Sequence, residues 1–110
     1  MRRGYDAAYA ARMQRVLLVC LPSDPDDQTF GVAARALRDA GHEIVHGGAI
    51  GSAGQIAAVA FQEDVDVVLL IGGEEADGVA AELVGSDEDP QVRVVRPGVS
   101  RVDVAAAVAR

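Results

Sequence analysis

The chain contains no lysine and no tryptophan, one cysteine, two phenylalanines and two tyrosines. Its ten basic residues are all arginine. The missing lysine excludes a lysine general base, a Schiff base and a phosphate-binding Lys. Only 4% of residues are aromatic, so the core must be built from Val, Leu, Ile and Ala. The single Cys20 cannot form an internal disulfide and reads as a small core residue; its isolation fits an expected cytoplasmic location. No apolar run is long enough to span a bilayer. The first residues, "MRRGYDAAYAARMQ", carry two arginines without a long apolar stretch, which is not the pattern of a secretory signal. Positive charge is also scarce: the formal net charge of −7 argues against nucleic acid, whose phosphates need a basic surface, and against an anionic membrane.

Half of the 110 residues are apolar, as expected of one globular domain with a modest core. We divide the chain into an N-terminal extension, 1–14, and a single domain, 15–110. In the extension, Tyr5, Tyr9 and Met13 would share one side of a short helix. From residue 15 the pattern alternates. "RVLLVCL" is a continuous apolar run, suited to a strand covered on both faces, and places strand 1 near 15–20. Helix 1 is expected near 27–40. Phe30, Ala33, Ala34, Leu37 and Ala40 form its apolar stripe, Asp26 or Asp27 caps it and Gly41 closes it. "HEIVHGG" is a second strand and "SAGQIAAVAFQED" a second helix with Ser52 as cap. The third strand lies near 66–71. "EEADGVAAELVGS" is a helix weakened by Gly78. "PQVRVVRPG" is an edge strand, because it carries Arg93 and Arg96 between prolines. "SRVDVAAAVAR" is a last helix capped by Ser100.

Such alternation implies an α/β fold. We expect a flavodoxin-like (Rossmann-like) three-layer sandwich with a parallel sheet of about four strands in the order 2-1-3-4. Ligands of such sheets bind beyond the carboxyl ends of the strands, at the switch point between strands 1 and 3. "PSDPDDQT", "HGGAIGS" and "IGGEEADG" meet there. The carboxylates of Asp24, Asp26, Asp27, Glu74, Glu75 and Asp77 could hold a divalent cation, but acidic residues also belong at helix N-termini, and capping is the preferred reading. A phosphoacceptor receiver domain is excluded: strand 3 ends Ile71-Gly72-Gly73 without an aspartate, and there is no lysine. Gly47-Gly48 and Gly72-Gly73 could cradle phosphate. However, neither G-x-G-x-x-G nor a Walker A sequence is present, and Glu74-Glu75 would repel an anion, so they read as turn glycines. His46, at a strand end without a second His or Cys beside it, reads as structural. His42 is expected to face solvent. No catalytic residues are assigned.

From Arg15 to Gly73 the chain resembles the cobalamin-binding domain of methylmalonyl-CoA mutase and of related acyl-CoA mutase small subunits. It is also similar to the cobalamin domain of light-sensing transcription regulators. "ARALRDAGHEIV" and "AAVAFQEDVDVVLL" carry the resemblance, which covers about two-thirds of the chain. The family places Asp-x-His-x-x-Gly after strand 1, where this chain has Asp24-Pro25-Asp26-Asp27-Gln28-Thr29. The resemblance thus puts Asp26 where the cobalt-ligating histidine stands and Thr29 where the glycine stands. The family's Ser-x-Leu at the end of strand 3 is here Ile71-Gly72-Gly73. Its Gly-Gly pair beside the nucleotide tail is Arg96-Pro97, and the family's fifth strand is not evident here. A carboxylate cannot replace an imidazole oriented by a neighbouring Asp, and Ile71, Arg96 and Pro97 would narrow the tail tunnel. The expectation is a degenerate copy with no cofactor and no metal: a non-catalytic subunit or interaction module that binds a mutase-like large subunit or itself. The alternatives are a cobalamin-carrying small subunit of an acyl-CoA mutase, an isomerase, and a binder of another small ligand in the remodelled pocket.

Overall fold

A computed structural model describes residues 13–23, 25–86 and 90–109; Asp24 and the proposed helix of the N-terminal extension lie outside them. The elements alternate: β1 (Arg15–Cys20), α1 (Asp27–Asp39), β2 (Glu43–Ala49), α2 (Ala53–Gln62), β3 (Val67–Ile71), α3 (Glu74–Val84), β4 (Val92–Val95) and α4 (Arg101–Val108). All strand pairs are parallel, and the order is β2-β1-β3-β4. The expected fold class and strand order are therefore observed.

The apolar runs explain which strands are central. Every residue of β3, and all of β1 after Arg15, is buried. Their side chains alternate between two cores. Val16, Leu18, Val67, Leu69 and Ile71 pack under α1 and α4, while Leu17, Val19, Val68 and Leu70 pack under α2 and α3. The chain steps from β1 to β2 in one direction and from β2 to β3 in the other. Right-handed crossovers then place α1 and α2 on opposite faces, which completes the three layers. β4 is an edge with Arg93 exposed, as its composition implied.

Helix boundaries follow local chemistry. The side chains of Asp26, Ser52 and Ser100 accept the N–H groups of Thr29, Gln55 and Asp103, satisfying donors that a first helical turn leaves open. Gly41 takes a positive φ of 88° after the end of α1. Ala40 departs from expectation: it is exposed and forms the C-cap of α1, and Ala36 completes the buried stripe instead. His42 also departs. It is half-buried, and its Nδ1 accepts the Gln14 N–H at 2.9 Å, tying the segment before β2 to the segment before β1.

The glycine pair Gly47-Gly48 is not in a turn. Leu18 faces His46 and Val19 faces Gly48, so Gly47 is the extra residue of a bulge inside β2. Gly48 takes a φ of 68°, a conformation that costs glycine little.

Candidate functional site

The switch point lies above the carboxyl ends of β1 and β3, where the following loops leave to opposite faces of the sheet. Pro22 and Ser23, the N-terminus of α1, Gly72-Gly73 with the start of α3, and the turn after β4 converge there.

Asp26 is fully engaged as a cap. One carboxylate oxygen accepts the Thr29 N–H at 2.9 Å and the other accepts the Thr29 hydroxyl at 2.7 Å. These bonds favour the charged form: the Thr29 N–H first, and its hydroxyl second, hold the Asp26 carboxyl below its ordinary value. Thr29 is only 3% exposed, and its oxygen also accepts the Gly98 N–H at 2.9 Å. The run Asp26–Thr29 therefore latches the start of α1 to the turn after β4.

A second latch crosses the site. The Ser23 hydroxyl donates to Glu75 at 2.6 Å, joining the loop after β1 to the first turn of α3. A third lies over β3. Arg96 donates to the Gly72 carbonyl at 3.0 Å and to the Asp77 carboxylate at 2.6 Å. The Asp77 bond raises the guanidinium's pKa above its ordinary value. Gly72 is buried against α3, where an added Cβ would stand 2.8 Å from the Ala76 Cβ. Its N–H is spent on the Val95 carbonyl. The first turn of α3 carries Glu74, Glu75 and Asp77, so this end of the sheet offers an anion neither a free Gly72 N–H nor a positive field.

The proposed site residues separate into those the fold gathers and those it does not. Asp26, Thr29, Gly72, Gly73 and Arg96 line the switch point. Ile71 is buried in the core beneath α1 and α4 rather than on the rim. Pro97 is exposed in a turn. His46 is exposed on β2 and rests against Phe30, with ring centroids 6.0 Å apart. Gly47 is packed onto Val19. Cys20 is buried and free, with its thiol 3.6 Å from the Gly48 carbonyl. Sequence reasoning missed Ser23, whose pairing with Glu75 spans distant parts of the chain without a local signal. Among the described residues no group of three or more His, Cys, Asp or Glu side chains could hold a metal ion, and none of the helices is long and apolar enough to cross a membrane.

Over 54 residues the chain is 43% identical to the 2-hydroxyisobutanoyl-CoA mutase small subunit of Aquincola tertiaricarbonis. That stretch is 49% of this chain and 40% of the mutase subunit, so the match spans well under half of that relative's length. No protein-family profile matches the chain. Among solved structures, the solution structure of a phosphate-loop protein superposes with a TM-score of 0.51. It covers 87% of this chain and 89% of that one at 20% identity, a likeness of fold alone.

Proposed function

We propose that this chain is a protein-binding domain related to acyl-CoA mutase small subunits, and that it works without a cobalamin of its own. The observation that carries this reading is the closed bond set of Asp26 and Thr29. The position corresponding to a cobalt-ligating histidine holds a carboxylate with both oxygens spent on Thr29. The position corresponding to the motif's glycine holds a buried hydroxyl that bridges to Gly98. Arg96, standing where the resemblance puts a small residue beside the nucleotide tail, is drawn across Gly72 to Asp77. These residues do not fit a cobalt ligand or its tail. The likeness to a mutase small subunit over 54 residues favours a mutase-like large chain as the partner.

Titration calorimetry and absorbance spectroscopy with added cobalamin test the reading. The expected result is a colourless protein that leaves the cobalamin spectrum unchanged. Asp26→His with Thr29→Gly should also fail to bind, because Arg96 still crosses Gly72. Micromolar binding by the unmodified protein overturns the proposal and establishes the second reading, a cobalamin-carrying small subunit, which the same 43% identity favours. The partner is tested separately, by capture of a mutase-like large chain from the native host.

A further inference from the structure

We propose that residues 1–12 dock back onto the domain, laying Tyr5 and Tyr9 against Phe61 in the hollow at the foot of α2. The hollow, the point where the segment meets the domain, and charge each support this occupant.

The hollow has a volume of about 320 Å³ and is lined by Ala57, Ala60, Phe61, Asp64, Val65 and Pro90. Phe61 is 74% exposed there. The lining is apolar apart from Asp64, and such a surface favours an aromatic ring that keeps a polar tip in water, as tyrosine does.

The segment meets the domain beside this hollow. The Arg15 N–H donates to the Asp66 carboxylate at 2.7 Å, and the Asp66 N–H donates to the Arg15 carbonyl at 2.8 Å. Asp66 directly follows Val65, which lines the hollow. Tyr9 lies six residues before Arg15, a span of at most about 20 Å. A segment tethered this closely meets the hollow at an effective concentration on the order of millimolar, so a weak contact suffices to hold it.

Charge decides between the hollows at this end of the sheet. Residues 1–12 carry three arginines and one aspartate, whereas the other 98 residues carry seven arginines and sixteen acids. A second hollow, on the α4 side, is lined by Gln14, Gln91, Arg93 and Ala107 among others. Its charged residue is Arg93, which repels the segment's arginines. The hollow at α2 has Asp64 in its wall and Glu63 beside it, both exposed. Asp64 makes no ion pair among the described residues. At helical spacing Tyr5, Tyr9 and Arg12 share one face, so rings meeting Phe61 bring a guanidinium to the same acidic rim.

The proposal does not rest on the mutase-like reading, because it concerns the purified chain alone. Tyr5 and Tyr9 are the only tyrosines and there is no tryptophan, so intrinsic tyrosine fluorescence reports on this segment and nothing else. Acrylamide should quench it several-fold less in the full chain than in a synthetic peptide of residues 1–12. The protection should be independent of protein concentration and should weaken as salt is raised. Phe61→Ser and Asp64→Arg should each move quenching toward the peptide's value. Val102→Ser removes an apolar side chain that is 77% exposed on α4, on the opposite face of the sheet, and should change nothing. Circular dichroism confirms that each variant is folded. Quenching equal to that of the peptide overturns the proposal. So does protection that survives both Phe61→Ser and Asp64→Arg, or protection that grows with protein concentration, which would place the segment on a second copy.

Discussion

Replacing Gly47 by alanine adds one methyl group at the most crowded point of the β1–β2 pairing. Built on the native backbone, the new Cβ stands 2.4 Å from Val19 Cγ1, 3.0 Å from Leu17 Cδ1 and 3.2 Å from the Leu18 carbonyl oxygen. Leu17 and Val19 are wholly buried on the central strand. The valine is short and branched at Cβ, so it cannot swing clear as a long side chain would. Either β2 draws away from β1 at the bulge or Val19 leaves its rotamer, and overpacking of this kind costs about 1–3 kcal/mol. Loss of glycine's freedom in the unfolded chain offsets roughly 0.4–1 kcal/mol. The expected net destabilisation is about 1–2 kcal/mol, or a fall in Tm of roughly 5–15 °C for a domain of this size. Thermal unfolding followed by circular dichroism or calorimetry measures it. The double variant Gly47→Ala, Val19→Ala should lose less stability than the sum of the two single variants, because the second change makes room for the first. A Gly47→Ala protein with an unchanged or raised Tm, or strict additivity in the double variant, would refute the packing argument.

The same substitution at Gly78 should have the opposite sign. That residue is exposed inside α3 with nothing within 4 Å of its missing Cβ, and Gly78→Ala should stabilise by roughly 0.5–1 kcal/mol in urea titration. Leu37→Ala, at a fully buried position on the inner face of α1, should cost about 2–5 kcal/mol by the same titration. Asp26 adds a pH signature. Its folded pKa is lowered, so its contribution is complete above the unfolded value and disappears as pH falls through the folded one. Asp26→Asn keeps a capping side chain; its stability deficit against the wild type at neutral pH should shrink steadily in acid, and a deficit independent of pH would contradict the charge-assisted cap.

What the sequence made legible was whatever is encoded locally. The runs Val16–Leu21 and Val67–Ile71 mark the central strands because burial on both faces leaves no polar position. Asp26, Ser52 and Ser100 mark helix starts because a cap acts on residues two or three positions away. The missed features rest on partners far along the chain. Nothing near His42 announces the Gln14 N–H that it accepts, and nothing near Thr29 announces Gly98. Gly47 read as a turn glycine because a bulge is defined by register against Leu18 and Val19, which no single segment contains.

An all-parallel sheet also dictates how the chain must assemble. Among the described residues no strand pairs with its partner through a tight turn, so none of these strands can form a hairpin as a quick nucleus. Where the chain enters β1, Gln14 meets His42 across 28 residues and Arg15 meets Asp66 across 51. Closing the longer loop rather than the shorter costs only about 0.5 kcal/mol more, because the penalty grows with the logarithm of length. The wholly apolar β3 offers more burial than the half-exposed β2, enough to outweigh that difference. The rate-limiting step of folding should therefore contain β1 docked on β3, with β2 and its bulge joining afterwards. Mutations in the β1–β3 seam will slow folding, whereas those at Gly47 will chiefly hasten unfolding.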